Sequence, residues 1–281
     1  MLKGFEFMRA CAVISLYNPT TEQIENINRI AGWFDKTIVV DDSEEDHTTL
    51  FINNSNLTML WNGQNLGLTK TVNKGIDVAL KNGAEWVVVL DQDCEFNKSI
   101  LDVYDKYLKD NDTSSIAILC PQLNYDRHKR KVKNGYKEVN FCVLSGSMIN
   151  MKVYRELGGY DERFFMDGLD IEWCLRATSR GYKIIMCMQA VLNHQPAITR
   201  SVRVFDKDIF RYGWDSHIRY YYQFKSFFMI HHLYHSFRHD LMFIYKVFKV
   251  VFLFENKKLY IKALIDARRD YKNGFYGKYV G

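Results

Sequence analysis

Residues 86–96 of the chain read WVVVLDQDCEF, and this stretch decides the fold class. A short apolar run rich in β-branched residues predicts a strand over 85–90, buried on both faces of a sheet. Asp91 and Asp93 follow at the carboxyl end of that strand. Ligands in open α/β sheets bind beyond the carboxyl ends of the strands, so this position favours a binding site over a solvated acidic turn.

Polar residues also follow two earlier predicted strands, at 11–16 and 37–40. These residues are Tyr17, Asn18, Asp41 and Asp42. Further strands are predicted at 57–61, 116–119 and 183–192, and a strand region at 139–150 is predicted to be broken by Ser145, Gly146 and Ser147. Helices are predicted at about 21–32, 68–82, 98–109 and 170–179. This alternation predicts an α/β fold with a mostly parallel central sheet, covered by helices on both faces.

The paired carboxylates Asp91 and Asp93 predict a metal site. Mg²⁺ and Mn²⁺ prefer oxygen ligands and are often shared with substrate phosphates. Two carboxylates at this spacing, taken alone, more often belong to a solvated acidic turn. The buried strand that precedes them favours a metal site. His194 follows the last predicted strand and is the third candidate ligand, because neutral imidazole is a common ligand.

A second acidic group stands at the start of the helix predicted from Asp170. Glu172 and Arg176 are four residues apart, so an ion pair on the helix surface explains that pair. Asp170 near the helix N-terminus has two explanations, capping, where an anion is favoured, or a general base aimed into the cleft.

Composition narrows the class of protein further. The chain has 281 residues, of which 25% are charged, and contains only three prolines, which is typical of a globular protein without long linkers. The six cysteines are scattered without metal-finger spacing, which predicts free thiols in a reduced cytosol. Neither GxGxxG after the first strand nor a Walker loop is present, which disfavours a dinucleotide-binding protein and a P-loop NTPase.

The C-terminal residues 201–281 differ from the rest of the chain. They carry 15 of the 38 Lys and Arg residues, 7 of the 33 Asp and Glu residues and 22 of the 42 aromatic residues. Two or three helices are predicted over 217–272. In 235–257, Lys246 and Lys249 recur with other polar residues at helical spacing, which favours a basic amphipathic helix that lies on an anionic membrane. The alternative is a helix packed on the catalytic domain or on a second subunit.

Together these stretches resemble family 2 glycosyltransferases of the GT-A fold, most closely the bacterial rhamnosyltransferase-like branch. The matching stretches are AVISLYNP (12–19), IVVDDS (38–43), NLGLTKTVNKGI (65–76), WVVVLDQDCEF (86–96), the run from Leu144 to Ile184, and LNH (192–194). RYYYQFKS (219–226) and DARRDYKNGFYGK (266–278) match more loosely. The resemblance implies a GT-A domain over 1–200, with a nucleotide-sugar half at about 1–95 and an acceptor half at about 96–200, followed by a helical extension over 201–281.

The resemblance also implies roles for individual residues. Nucleotide-sugar binding is expected of Tyr17, Asn18, Asp41, Asn65, Gly67, Lys70, Asn73, Asp91 and Gln92, with Asp42 as a further candidate. Metal binding is expected of Asp91, Asp93 and His194, acceptor binding of Ser145, Gly146, Glu172 and Trp173, and diphosphate binding of Arg200 and Arg203. Asp170 is the expected base, with Glu172 and Asp167 as alternatives, because Leu169 stands where the family usually has Glu.

The activity that the resemblance implies is inverting, metal-dependent sugar transfer in the synthesis of a bacterial surface polysaccharide such as O-antigen or capsule. The first expected donor is dTDP-L-rhamnose, with UDP-galactofuranose and UDP-galactose as alternatives. The expected acceptor is a glycan on a lipid diphosphate, and the expected location is cytoplasmic, on the inner face of the cell membrane, with a possible homodimer and no nucleic acid. A nucleotidyltransferase is disfavoured because YNPTTEQ (17–23) is not Gly-rich and basic. A non-catalytic carbohydrate-binding protein is disfavoured by the intact carboxylates.

Overall fold

The computed structural model describes residues 10–51 and 55–281. Residues 1–9 and 52–54 of the expected catalytic domain lie outside these ranges. The strands are β1 (Ala10–Leu16), β2 (Lys36–Asp41), β3 (Leu57–Trp61), β4 (Trp86–Asp91), β5 (Ile116–Asn124), β6 (Tyr136–Val139), β7 (Ser147–Asn150), β8 (Lys183–Asn193), β9 (Ile198–Val204) and β10 (Lys207–Trp214). The helices are α1 (Thr21–Ala31), α2 (Leu68–Lys81), α3 (Lys98–Asp110), α4 (Met151–Leu157), α5 (Leu169–Ser179), α6 (His217–Tyr234), α7 (Phe237–Leu253) and α8 (Lys257–Lys272).

Within the described residues, β1 to β8 form one sheet in the order β3-β2-β1-β4-β7-β5-β8-β6. Only β6 and β7 run antiparallel to their neighbours in it, so the predicted mostly parallel sheet is confirmed. β1 lies between β2 and β4, with Leu16 opposite Asp41 and Ser15 opposite Asp91. The polar groups that follow these three strands therefore meet at one edge of the sheet.

Successive side chains of a strand point to opposite faces of the sheet, and each face has its own core. Val13 and Val87 pack with Ile76 of α2 on one face, which α4 and α5 also cover. Ile14 and Val88 pack on the other face with residues of α1 and α3. Both faces of the central strands are therefore dry, which explains why β1, β2 and β4 are continuous apolar runs.

The predicted break in the strand region over 139–150 is confirmed, and one other region differs from the predictions. Gly146 adopts a left-handed conformation with φ of 76° just before β7. The extension over 201–281, predicted to be helical, starts inside the hairpin of β9 and β10 instead. Its turn residues Phe205 and Asp206 both have positive φ, which a Gly or Asn usually signals, so the sequence carried no hairpin signal there.

Helices α6, α7 and α8 occupy 217–272, where two or three helices were predicted. They form a third core of aromatic residues, and Tyr222 of α6 stacks on Phe165 at 5.0 Å between ring centres. The extension therefore packs directly on the loop that precedes the expected base. None of the helices in the described ranges is both long and apolar enough to cross a bilayer.

The expected polar face of α7 is turned inward. Lys249 is buried and donates a 2.8 Å hydrogen bond to the Gly213 carbonyl, and burial lowers its pKa to about 7. Lys246 donates to Gln223 Oε1 of α6 at 2.6 Å. The expectation that these two lysines face an anionic membrane is therefore wrong. The exposed face of α7 is apolar instead, formed by Leu241, Ile244, Tyr245, Phe248, Val251 and Phe252.

Candidate active site

A cavity of about 220 Å³, called the first cavity below, lies at the carboxyl ends of β1, β2 and β4. Its lining includes several residues that the resemblance implied for nucleotide-sugar or metal binding. These are Tyr17, Asp42, Asn65, Gly67, Asp91, Gln92 and Asp93. The structure thus brings together side chains that are up to 76 positions apart in the sequence.

Gln92 joins the end of β4 to the end of β1. Its Oε1 accepts from the Tyr17 amide at 2.6 Å, and its Nε2 donates to the Tyr17 carbonyl at 3.1 Å. One side chain thus satisfies both backbone groups of Tyr17 and holds the backbone that carries the Tyr17 ring. That ring is 40% exposed at the mouth of the cavity, so a face is open to a ligand.

Asp42 holds the loop that leads into α2. Its carboxylate accepts from the Leu66 amide at 2.8 Å and from the Gly67 amide at 2.9 Å. Gly67 has a φ of 93°, and a Cβ there would lie 2.6 Å from the Phe165 carbonyl oxygen. Glycine is therefore required for this loop to approach the segment that carries the expected base.

Asp41 lies beside this cavity but does not line it. Its carboxylate is fully buried and accepts from the amide and hydroxyl of Ser43 and from the amide of His47, and it contacts His47 Nδ1 at 2.9 Å. Since these contacts occupy both oxygens, Asp41 shapes the pocket wall, and Asp42 is the member of the pair that reaches the cavity.

Three other expected nucleotide-binding residues also lie off the cavity. Asn73 accepts from Tyr154 Oη at 2.7 Å and from the Tyr160 amide at 3.0 Å, so it joins α2 to the loop after α4. Lys70 is exposed on α2, and Asn18 donates its amide to Ser43 Oγ at 2.8 Å. Asn73 is therefore a structural tie in this state.

Asp91, Asp93 and His194 form a cluster at the same edge of the sheet. One ligand atom from each lies within 4.8 Å of the other two. His194 Nε2 is 3.7 Å from Asp91 Oδ2, and its Nδ1 is 3.9 Å from Asp93 Oδ1. The buried Nδ1 has no hydrogen-bond partner among the described groups. Burial raises the pKa of Asp91, while His194 lowers it and Asp93 adds to the rise. Two carboxylates and an imidazole whose buried Nδ1 has no partner fit Mg²⁺ or Mn²⁺.

Asp170 stands in the first turn of α5, after Gly168. Gly168 has a φ of 94°, and a Cβ there would lie 2.6 Å from Ser226 Cβ of α6, so the turn needs glycine. Burial raises the pKa of Asp170 to about 7, although its carboxylate accepts a 2.8 Å hydrogen bond from the Ile171 amide. A carboxylate with this pKa is suited to accept a proton near neutral pH.

The residues expected to contact the acceptor are covered in this structure. Glu172 is buried and accepts from Arg176 at 2.7 Å and from Tyr234 Oη at 2.6 Å. Trp173 is fully buried in the core, where its Nε1 donates to the Gly158 carbonyl. These two side chains tie α5 to its surroundings and offer no surface to a sugar.

Ser145 and Gly146 are likewise beneath the site. The Asp91 amide donates to Ser145 Oγ at 3.4 Å, and Tyr104 Oη of α3 donates to the Gly146 carbonyl at 2.7 Å. Ser145 is buried, and its contact is with Asp91 at the end of β4. These residues support β4 from below.

Arg219 of α6 is a candidate that the sequence reasoning missed. Its Nη1 donates at 3.2 Å to the carbonyl of Pro196, which follows His194 by two residues. Its Nε lies 3.5 Å from Asp167. Its charge also lowers the pKa of Asp91. Arg219 therefore lies between the segment that follows His194 and the loop that precedes Asp170. Its place in the RYYYQFKS stretch was the available signal.

The two arginines expected at the diphosphate are engaged elsewhere, on the β9–β10 hairpin. The Arg200 guanidinium lies 4.1 Å from the centre of the Trp214 ring, and Arg203 pairs with Asp208 at 3.0 Å. Within the described parts of the chain, neither lines the cavity that holds Asp91 and Asp93.

Comparison with known proteins agrees with this geometry. The chain is 28% identical over 194 residues to a Shigella flexneri protein named dTDP-rhamnosyl transferase RfbF, covering 60% of this chain and 63% of that one. It is 30% identical over 73 residues to O-antigen biosynthesis protein RfbC of Myxococcus xanthus, covering 26% and 5%. The matched parts thus span less than two thirds of the length of these curated relatives.

Solved structures of low sequence identity share the fold. Residues 1–349 of TarS from S. aureus superpose with a TM-score of 0.58 at 15% identity, covering 95% of this chain and 83% of that one. GalNAc-T7, solved with UDP, GalNAc and Mn²⁺, superposes with a TM-score of 0.50 at 13% identity, covering 66% and 43%.

The sequence profile of the family described as Glycosyl transferase family 2 matches residues 11–158, which contain the central strands, the DxD pair and the α2 loop. This match covers more than half of the chain. The chain therefore belongs to glycosyl transferase family 2 and has the GT-A fold.

Proposed function

We propose that the protein is an inverting, metal-dependent glycosyltransferase that moves a sugar from a nucleotide donor to a glycan acceptor. The observation that carries this proposal is the cluster of Asp91, Asp93 and His194 at the nucleotide cavity. The proposal also draws support from Asp170, a carboxyl group whose pKa of about 7 suits a general base. Asp91, Asp93 and His194 would hold Mg²⁺ or Mn²⁺, which supplies positive charge beside the donor diphosphate.

The reaction follows from the roles of these side chains. Asp170 in its ionised form accepts the proton of an acceptor hydroxyl while that oxygen attacks the anomeric carbon. The bond from this carbon to the diphosphate oxygen breaks, and the nucleoside diphosphate leaves from the opposite face with inversion. Arg219 offsets the negative charge that grows on the leaving group. Because the acceptor oxygen displaces the diphosphate directly, no covalent enzyme intermediate is needed.

The proposed donor is dTDP-L-rhamnose, and the proposed pathway is synthesis of a surface polysaccharide such as O-antigen. The support is the name of the S. flexneri relative, together with the stretch WVVVLDQDCEF and the run from Leu144 to Ile184, which resemble the rhamnosyltransferase-like branch. A screen of nucleotide sugars for Mg²⁺- or Mn²⁺-dependent release of nucleoside diphosphate tests the donor. Greater release from UDP-galactofuranose or UDP-galactose would replace rhamnose, and binding without turnover of any donor would contradict an enzymatic role.

Arg219 gives the first testable prediction. Replacing Arg219 with Gln removes a charge beside the leaving group, so we expect the transfer rate to fall roughly 10- to 100-fold. Arg219→Lys should keep part of the activity because the charge remains. Arg200→Gln and Arg203→Gln are matched controls from the hairpin, and thermal melts check the fold. If a hairpin variant loses activity while Arg219→Gln retains it, the diphosphate is held by the hairpin.

The exposed apolar face of α7 gives a second prediction. We propose that this face inserts into the inner surface of the cell membrane, where a lipid-linked acceptor is found. Ile244 and Phe248 are 61% and 48% exposed, so Ile244→Glu with Phe248→Glu should abolish co-flotation with anionic vesicles. Leu50→Glu with Val132→Glu, at exposed positions outside α7, is the matched control and should still float. A double variant that keeps floating, or that only dissociates a homodimer, contradicts membrane insertion.

A further inference from the structure

A second cavity, of about 620 Å³, lies between β5, β6 and the start of α7. Cys142 and Val143 line both this cavity and the small chamber that contains Asp170. Pro196, two residues after His194, lines it from another side. The second cavity is therefore a neighbour of both the expected base and the metal cluster, and it contains none of the residues that we assigned to the donor.

Cations from three separate elements converge on this cavity. Arg130 comes from the charged loop over 126–135, Lys137 from β6 and Arg238 from the first turn of α7. The one carboxylate in the lining, Glu138, lies 3.5 Å from Lys183. Like charges gathered around one cavity repel each other, and an anion bound among them would remove that repulsion.

Aromatic rings stand among these cations. Tyr125 and Phe141 line the cavity, and the Arg238 guanidinium lies 4.3 Å from the centre of the Phe141 ring. A pocket that combines aromatic faces with a few placed charges is typical of a site for an organic ligand with an ionised group. The volume lies within the range of small-molecule sites, about 300–1,000 Å³.

The charged loop is fastened to the segment that follows His194. Asp126 accepts from Gln195 Nε2 at 2.9 Å and from Thr199 Oγ1 at 2.6 Å. Arg127 donates to the Ala197 carbonyl at 3.1 Å. Two walls of the second cavity are thus joined by hydrogen bonds, so the site is organised before a ligand binds, which lowers the entropic cost of binding.

We propose that the second cavity binds the acceptor and selects one that carries an anionic group. That group is either the diphosphate of a carrier lipid or the carboxylate of an acidic sugar. In both cases the three cations contact negatively charged oxygen atoms. This proposal rests on the proposed function and names the substrate class of the same site. Binding here would place an acceptor hydroxyl on the side of the cavity that adjoins Asp170.

The test measures binding of three probes in excess chelator, so that no diphosphate is held through a metal ion. The probes are phenoxyundecyl-diphosphate N-acetylglucosamine, a methyl glycoside of a glucuronic acid disaccharide, and the neutral octyl N-acetylglucosaminide. The test variant is Arg130→Gln with Lys137→Gln and Arg238→Gln. Its matched control is Lys129→Gln with Lys131→Gln and Lys133→Gln, which removes the same charge from the same region outside the cavity lining.

We expect at least one anionic probe to bind the unaltered protein more tightly than the neutral probe. The test variant should weaken that binding by about tenfold or more, as loss of charge-assisted contacts predicts, and the control should not. The anionic probe that shows the loss identifies the source of the charge. Equal losses in both triple variants, equal affinity for the neutral probe, or no binding of any probe would each overturn the proposal.

A second measurement separates this proposal from the proposed function. Donor hydrolysis without acceptor depends on the first cavity and Asp91, so both triple variants should retain it. If no nucleotide sugar is turned over but the anionic probe binds with the expected loss, the transferase assignment fails and the anion site stands. If turnover is intact and the loss is absent, the acceptor lies elsewhere.

Discussion

Replacing Asp170 with Asn is expected to lower the rate of sugar transfer by about 10²–10⁴-fold, the usual cost of losing a general base. Asn keeps the size and the hydrogen-bonding capacity of the side chain but cannot accept the proton of an acceptor hydroxyl. Donor and metal affinity should stay nearly unchanged, because Asp91, Asp93 and the first cavity provide them. Initial rates with saturating donor, together with binding of the nucleoside diphosphate, check both parts.

The same carboxyl group predicts the pH dependence of the reaction. Burial raises the pKa of Asp170 to about 7, and only the ionised form can act as a base. We therefore expect the transfer rate to fall as the pH drops below about 7, with one proton taken up. A rate that stays level down to about pH 5 would contradict this assignment.

Stability should respond in the opposite direction. The pKa of Asp170 is raised from 3.8 to about 7 in the folded state, so between these values the folded protein binds more protons than the unfolded chain. The contribution of Asp170 to the free energy of unfolding therefore decreases as pH rises through that window. Asp170→Asn removes this penalty, so its melting temperature at pH 8 should equal or exceed that of the unaltered protein.

Glu172→Gln is the matched comparison on the same helix. Glu172 is buried between Arg176 and Tyr234, so its neutralisation should mainly lower the melting temperature. Transfer should fall less than in Asp170→Asn, because Glu172 has no surface in the cavity. If Glu172→Gln is folded and inactive while Asp170→Asn works normally, the base has been assigned to the wrong carboxylate.

The other large effect that we expect is the fall in transfer rate when the cluster of Asp91, Asp93 and His194 is disrupted. Asp91→Asn or Asp93→Asn should lower transfer by about 10²–10³-fold or more, since charge stabilisation of a leaving group contributes that much. Chelator should do the same to the unaltered protein, and added Mn²⁺ should restore it. Asp77→Asn on the exposed side of α2 is the control and should behave normally.

A readout without turnover completes this test. Mn²⁺ should raise the melting temperature of the unaltered protein and of Asp77→Asn, because a ligand that binds only the folded state stabilises it. The rise should be lost in Asp91→Asn, Asp93→Asn and His194→Ala. Full activity in chelator, with no stabilisation by Mn²⁺, would show that the cluster serves another purpose.

The fold and the ends of its strands were predictable because their signals are local. A buried strand such as 86–91 needs a continuous apolar run, and the alternation with helices follows from spacing alone. Parallel strands bring their carboxyl ends to one edge, so the polar residues after β1, β2 and β4 had to converge. His194 was a candidate from its place after the last predicted strand, and the pairing of β8 with β5 brings it near Asp91.

Side-chain direction was decided by the tertiary structure. Asp41 and Asp42 are the same residue type, and consecutive positions at a strand end point to opposite sides, so their order in the sequence could not show which one reaches the cavity. Helical spacing likewise fits Lys246 and Lys249 facing out or in. Buried lysines are rare, so the residue type favoured the orientation in which both lysines are exposed. The inward orientation is possible because the Gly213 carbonyl and the Gln223 amide oxygen accept hydrogen bonds from them.

The sequence by itself therefore determined which elements form and which chemistry lies at the sheet edge. Only the tertiary structure decided which side chains lie at that edge, as Arg219 and Trp173 illustrate. Arg219 lies near the site because α6 packs on the loop that precedes Asp170. Trp173 does not line the first cavity because its ring is buried in the core that includes Val13 and Ile76. Both outcomes depend on contacts between segments that are distant in the chain, and residue spacing carries no information about such contacts.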